Sequence, residues 1–346
     1  MAEDKEHYEK IDIPFYKTEI EPRLPEEILD FHVHVWQPDQ YKINPFSDDV
    51  KGLKYMVFGS DYSFDQLFKD TSMMLPGKVY KSVCFGNPGP AVDPVKTNKY
   101  VRDGAAGNSS VYPLMVAGKG LLAAEQIEKE IIEGGFLGYK VFLNWFGNDY
   151  GSIGVDDMLG PVEMKIAQKY KLIVLLHVPG HGRLADPAIS QGVRNLAGSY
   201  PSAQIVLAHC GRCYLPDEMK HAVSAIKDLE NVYLDTAMVM DPTVLEILLE
   251  QIDSRRLLFA TDLPIAFMRG RRVYVMDHWV DVVLEGYPQS SYRIQSNDIR
   301  ATFMVYEIML AIIRAGERIK LKEKEIKSIF HDNGMRIINR VSLPVS

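Results

Sequence analysis

Asp30-Phe31-His32-Val33-His34-Val35-Trp36 decides how the rest of the chain reads. With Ile28 and Leu29, the apolar residues Phe31, Val33 and Val35 mark a buried strand, and side chains two apart on a strand share a face. His32 and His34 therefore project together, and two imidazoles on one face form a chelating pair if further ligands arrive from elsewhere. A lone His-x-His is equally compatible with two core histidines. The remaining 310 or so residues have to decide between them, since a chelating pair needs partners from other strands.

Beyond Trp36 the chain soon becomes regular. Apolar runs at 79–85, 111–117, 139–144, 172–178, 204–209, 232–236 and 257–262 read as strands, several of them nearly continuous, as strands covered on both faces require. Between them lie helical patterns at 94–104, 121–133, 155–170, 186–199, 217–229 and 242–251, and after the last strand further helices are expected at 275–285, 296–314 and 322–340. Strands alternating with helices call for parallel βαβ construction, and eight strands close a (β/α)8 TIM barrel. A doubly wound open sheet competes, but it calls for a glycine-rich phosphate turn after the first strand, where this chain has His-Val-His-Val-Trp.

Residues 1–27 read as an arm, extended because Pro14, Pro22 and Pro25 interrupt any long helix, packed across the domain or against a neighbouring subunit. Residues 28–346 form a single barrel domain. Within it, 37–78 is an insertion after the first strand, with a helical pattern through Phe64, Leu67 and Phe68.

The chain has 346 residues, 47% hydrophobic and 25% charged, an ordinary globular composition. A chain of this length buries enough surface to fold without a metal or disulfide. A formal charge of -7 offers no broad cationic surface for a phosphate backbone, so nucleic acid is not an expected partner. The first residues lack the apolar core of a signal peptide and no apolar run reaches the ~20 residues of a membrane span, so no membrane partner is expected and the expected location is the cytoplasm. Cys84, Cys210 and Cys213 do not make a disulfide framework, and Cys210-Gly211-Arg212-Cys213 lacks the second pair or the context that zinc or redox dithiols need.

At the carboxyl ends of the strands stand His32 and His34 on the first, His177 on the fifth, His209 on the sixth and Asp262 on the eighth. A barrel of this kind builds its active site at that end. Each residue alone has a bland explanation, a satisfied core histidine or a helix cap. Five residues of metal-binding type at one mouth do not share one.

Phe31-His32-Val33-His34, His177, His209-Cys210-Gly211, Thr261-Asp262-Leu263-Pro264 and Ile329-Phe330-His331-Asp332-Asn333-Gly334 together resemble the amidohydrolase superfamily, in its amidohydrolase-related branch, over about residues 28 to 340. The resemblance implies a metal-dependent hydrolase or decarboxylase. It assigns His32, His34, His177 and Asp262 as ligands of one divalent metal ion, zinc first with manganese as alternative, and His209 and Asp262 as catalytic groups. Three imidazoles and a carboxylate suit zinc and leave a position for water or substrate. Some superfamily members use a carboxylated lysine on the fourth strand to bridge two metals, which makes Lys140 a candidate second-metal bridge, although it sits several residues before its strand ends.

Substrate-facing candidates are His181 and Arg183 after the fifth strand and Arg212 after the sixth, arginine being the usual fork for a carboxylate. Trp36, Trp145 and Tyr214 are candidate pocket walls, while Arg269, Arg271 and Arg272 read as a solvated basic turn. The expected activity is hydrolysis of a small carboxylate-bearing lactone, ester or amide. A non-oxidative decarboxylase resembling aminocarboxymuconate semialdehyde decarboxylase is the alternative, and a non-catalytic metal-binding barrel is third. A small anionic substrate and a homo-oligomer, dimer or larger, are the expected partners.

Overall fold

The computed structural model describes residues 2–42, 61–87, 89–147, 149, 151–275, 278–284 and 293–344. The expected parallel strands form: β1 Glu27–His34, β2 Val79–Phe85, β3 in two pieces at Val111–Pro113 and Met115–Val116, β4 Gly138–Val141, β5 Ile173–Leu176, β6 Gln204–Leu207, β7 Val232–Asp235 and β8 Leu257–Leu258. Every neighbouring pair from β1 to β8 is parallel. Pro113 has no amide to give, and β3 passes its pairing from β2 to β4 around Leu114, whose N–H bonds Cys84 O at 2.9 Å.

The ring closes where the chain beyond β8 meets β1. Phe31 N–H donates to Phe259 O (2.9 Å), Asp262 N–H to His32 O (3.0 Å) and His34 N–H to Leu263 O (3.0 Å).

Around the strands stand α1 Phe64–Met74, α2 Pro94–Ala105, α3 Ala124–Gly134, α4 Pro161–Tyr170, α5 Pro187–Ser199, α6 Pro216–Ile226 and α7 Pro242–Leu249. Five of them open on proline, whose missing donor costs nothing in a first turn. Asp93, Asp186 and Asp241 cap three of these by accepting backbone N–H groups. The helical stretch expected over 155–170 is split at Gly160-Pro161 into Val155–Met158 and α4.

Alternation along the strands sorts the core into two shells. Val174 and Leu176, Ile205 and Leu207, Val232 and Leu234 face the helices. Ile173 and Leu175, Val206 and Ala208, Tyr233, Leu258 and Ala260 fill the barrel interior. Each fully buried Leu, Ile or Phe contributes about 1.5–3 kcal/mol, so the barrel is held by these shells rather than by its polar mouth.

Three expectations are corrected. The arm is helical, not extended: Ala2–His7, Tyr8–Asp12, Ile13–Phe15, Tyr16–Ile20 and Glu21–Arg23 follow one another in α, π and 3-10 turns. The prolines are absorbed because the flanking turns are wide, with Ile13 N–H reaching back to Tyr8 O and Glu21 N–H to Tyr16 O. Tyr16 stacks on Tyr306 at 5.7 Å, and Asp12 binds Arg269 at 2.7 Å.

Second, the helix expected over 275–285 is instead part of an added sheet, β9 Gly270–Val275 antiparallel to β10 His278–Leu284, with β11 Arg293–Ser296 parallel to β10. The β-branched and aromatic residues Val273, Tyr274, Val275, Trp279, Val280, Val282 and Val283 favour a pleated surface over a helix. Residues 276, 277 and 285 of that expectation lie outside the described residues, as does 43–60 of the insertion.

Third, the helix expected over 296–314 begins only at α8 Met304–Arg318, and the one expected over 322–340 is two, α9 Glu323–Ile329 and α10 Asp332–Ile338. Ile337 and Ile338 of α10 close the interior shell. Among the described residues no helix is long and apolar enough to cross a membrane.

Candidate metal centre

Leu29 and Phe31 point into the barrel and Val33 and Val35 toward the helices. By strict alternation His32 and His34 would face outward. They do not, because the register with β2 shifts between Asp30 and Val33. This bulge reverses the parity and places two imidazoles above the interior shell, their ring centroids 5.4 Å apart and both 1% exposed.

Asp262 meets them from the opposite side of the seam. Its Oδ1 lies 3.1 Å from His34 Nε2 and 3.5 Å from His32 Nε2. Ligand atoms of His32, His34 and Asp262 all fall within 4.8 Å of one another, a set that fits one divalent cation. Asp262 adopts a left-handed backbone (φ 71°) and so does His209 (φ 56°), the conformation in which non-glycine residues are held only by their surroundings. Asp30, wholly buried, ties the seam: its carboxyl accepts from His32 N–H (3.1 Å), Thr261 N–H (3.0 Å), Thr261 Oγ1 (2.5 Å) and Tyr80 Oη (2.7 Å).

Hydrogen bonds fix the imidazoles. His34 Nδ1 faces Gly86 O at 3.4 Å and His209 Nδ1 faces Ala237 O at 3.0 Å. A carbonyl only accepts, so the proton sits on Nδ1 and the Nε2 lone pair is presented to the site. His32 does the same through Asp235 Oδ2 at 2.8 Å. A carboxylate behind a ligating imidazole orients the ring and raises its basicity.

Burial keeps these rings neutral. It holds His32 and His177 well below the ordinary imidazole range, lowers His34, and pushes His209 down to about 3. Burial works against the Asp262 charge, but the imidazoles around it, His34 first and then His32 and His209, prevail and hold the carboxyl well below its usual range. Neutral imidazoles beside an ionised carboxylate are the protonation state that metal binding requires.

The remaining expected residues divide. His209 packs against His32 at 4.9 Å between ring centroids. His177 joins through His209 (5.2 Å) and Phe142 (4.7 Å), but it stands outside the compact group of His32, His34 and Asp262, and its buried Nδ1 has no hydrogen-bond partner among the described residues. Lys140 is not low in the barrel as its place in the strand implied. Its parity points inward, and its long side chain carries Nζ to 3.0 Å from His32 Nε2. Burial pushes that amine down to about 8 against the pull of Asp235 and Asp262.

His181 is exposed, 3.9 Å from Asp149. Arg183 binds Glu218 at 2.8 Å, and Arg212 donates to the carbonyls of Val178 and Gly180. Trp36 is buried against Tyr62, and Trp145 lies under Lys42. Arg269 and Arg272 are no solvated turn: both are buried, on Asp12 and Asp281, and only Arg271 of the three is exposed. The thiols of Cys210 and Cys213 are buried and pushed upward by that burial, so neither is a thiolate at neutral pH.

Asp235 was not expected. It accepts His32 Nδ1–H and the amides of His209 (2.7 Å) and Ala237 (3.1 Å), joining β1, β6 and β7 under the site. The signal was present in Val232-Tyr233-Leu234-Asp235, an acidic residue at the carboxyl end of a strand, in phase with the inward Tyr233.

A family model described as amidohydrolase matches residues 93–340. No curated protein matches closely enough to count as a relative. Among solved structures, an amidohydrolase from Burkholderia multivorans with bound zinc has a TM-score of 0.56 at 12% identity, covering 92% of this chain and 99% of its own. 2,6-Dihydroxybenzoate decarboxylase from Rhizobium gives 0.54 at 14%, covering 91% and 99%. Dihydroxybenzoic acid decarboxylase from Polaromonas sp. JS666, with bound manganese and the inhibitor 2-nitroresorcinol, gives 0.50 at 15%, covering 91% and 97%. At such identities the likeness is one of fold.

Proposed function

Because the chain belongs to the amidohydrolase family, we propose that it is a metal-dependent hydrolase that cleaves a small carboxylate-bearing lactone, ester or amide. The observation that carries this is the Asp262 carboxylate set among imidazoles whose Nε2 lone pairs are already aimed at it. His32, His34 and Asp262 would hold one divalent ion, zinc or manganese, with His177 as the fourth side chain brought to the same mouth. Such an ion supplies Lewis acidity and water made acidic near neutral pH.

The chain's own residues do the rest. Asp262 would accept the water proton. His209, its Nδ1–H spent on Ala237 O, keeps Nε2 available to orient the nucleophile or receive a proton. Asp235 keeps the His32 ring from turning.

One other reading, a non-oxidative decarboxylase, is favoured by the likeness in fold to 2,6-dihydroxybenzoate decarboxylase. There the C–C bond electrons stay on the substrate carbon, carbon dioxide leaves, and a proton is delivered to that carbon. A single assay separates the two. Metal-loaded protein is incubated with a panel of lactones and with 2,6-dihydroxybenzoate, and acid and carbon dioxide release are followed. Acid without gas supports the hydrolase, gas from the aromatic acid supports the decarboxylase, and neither from a protein carrying metal counts against both.

A further inference from the structure

Tyr214 stands where the barrel mouth meets the added sheet. It is 5% exposed, with its ring centroid 6.1 Å from that of His209. Two guanidinium groups lie over the ring, Arg183 at 5.5 Å and Arg272 at 5.3 Å. Both are anchored elsewhere: Arg183 on Glu218, and Arg272 through Nε and Nη2 on Asp281 at 2.8 and 3.2 Å, with Trp279 stacked on it at 3.9 Å. Tyr274 and Trp279 complete the enclosure at 6.5 and 6.3 Å from the Tyr214 ring. The backbone is fixed as well, Tyr214 N–H donating to Glu218 Oε2 at 3.0 Å.

The ring is thus held on several sides while its hydroxyl makes no hydrogen bond among the described residues. Burial pushes the phenol up to about 12, although Arg272, Arg212 and Arg183 pull the other way, and Asp262 is near enough to add to the rise. At neutral pH the group is therefore a donor. A donor on a rigid ring flanked by a site histidine and two guanidinium groups suits an oxygen that carries negative charge.

We propose that Tyr214 is a substrate-binding residue whose hydroxyl donates a hydrogen bond to a carboxylate oxygen of the substrate, between His209 and the Arg183 and Arg272 guanidinium groups. The inference rests on the reading of the site as a metal centre. It adds what that reading lacks, a named group that selects acids over neutral molecules of the same shape.

Tyr214→Phe tests it, since the ring and its arginine contacts remain. Full-length, metal-loaded protein is titrated by calorimetry with 2,6-dihydroxybenzoate and with resorcinol, the same ring without the carboxylate. Wild type is expected to prefer the acid, and the variant to bind the acid about tenfold more weakly, the scale of a hydrogen bond to a charged group. Resorcinol binding, metal content and the unfolding midpoint are expected to stay unchanged. A variant that binds the acid as tightly as wild type, or a wild type that does not distinguish the two probes, overturns the role of Tyr214 and leaves the metal centre standing. A wild-type protein that holds no metal overturns the reading of the site and this inference with it.

Discussion

Nδ1 of His32 lies 2.8 Å from Oδ2 of Asp235, both side chains almost wholly buried. The pair aims Nε2 of His32 at Asp262, and removal of such a supporting carboxylate commonly costs 10–100-fold in metal affinity. Asp235→Ala is expected to weaken metal binding by roughly that factor. Competition with a chelator of known affinity measures it, and unchanged retention would show that Asp235 serves only the backbone of β6 and β7.

His32→Ala and His34→Ala are expected to remove the metal while leaving the barrel folded, because the apolar shells do not depend on the site. In wild type, free metal at a hundred times its dissociation constant stabilises by about 2.7 kcal/mol. Thermal unfolding with and without chelator reads this directly. The variants should show no such difference while keeping the wild-type far-ultraviolet dichroism.

Acid sensitivity is a consequence of the neutral imidazoles. His32, His34, His177 and His209 are depressed in the fold, whereas the unfolded chain protonates histidine near its ordinary 6.5. Unfolding therefore takes up protons below that pH, and stability falls as pH falls. Asp30, raised by burial from 3.8 to about 7, opposes this: its contribution is full below 3.8 and is lost as pH rises through 7. Asp12, Asp70 and Asp235, also raised by burial, act in the same sense as Asp30, so the loss caused by the imidazoles is expected to show in the metal-free protein just below the ordinary histidine range, as the unfolded chain begins to take up protons there. Urea midpoints at several pH values from neutrality downward test the sign, and a flat profile would contradict it.

Lys140 donates to the same His32 lone pair that a cation would use. The two compete, and Lys140→Met is expected to raise affinity for a single divalent ion by roughly tenfold through loss of the neighbouring positive charge. A wild-type stoichiometry of two ions that falls to one in the variant would identify Lys140 as a bridging ligand instead. Elemental analysis after gel filtration distinguishes the outcomes.

The arm is predicted to be structural. Asp12 is fully buried and Arg269, its partner, is 7% exposed. Breaking a buried ion pair costs about 3–5 kcal/mol, and Arg269→Met should approach that range. Denaturant unfolding measures it, and a change below about 1 kcal/mol would show the pair to be dispensable.

The barrel is legible in the sequence because its strands are apolar runs with sharp boundaries, and His32, His34, His177, His209 and Asp262 sit at the ends of those runs. The bulge after Asp30 is not legible. Strand period alone makes His32 and His34 share a face, but which face depends on a register shift that β2 and β1 settle between them. Asp235 is hard to single out because its work is done across β1 and β6, far away in sequence. The added sheet reads as a helix because Val273 to Leu284 carries a mixed pattern, and its buried Arg272–Asp281 pair makes sense only once β9 and β10 face each other. Lys140 shows that strand position understates reach, since four methylenes lift its amine from the middle of β4 to the imidazole.

The barrel seam is tied further by residues 329–334. Leu29 N–H donates to Phe330 O (2.8 Å), Phe259 N–H to Ile329 O (3.0 Å), and Asn333 Nδ2 to the carbonyls of Ser254 and Leu257, both at 2.9 Å. Gly334 lies so close beneath β1 that an added methyl would sit 2.7 Å from Leu29 Cδ2. During synthesis β1 emerges about 300 residues before these partners and has to await them. A nascent chain stalled before residue 329 leaves the seam without these bonds, held by the Phe31–Phe259, His32–Asp262 and His34–Leu263 pairs alone.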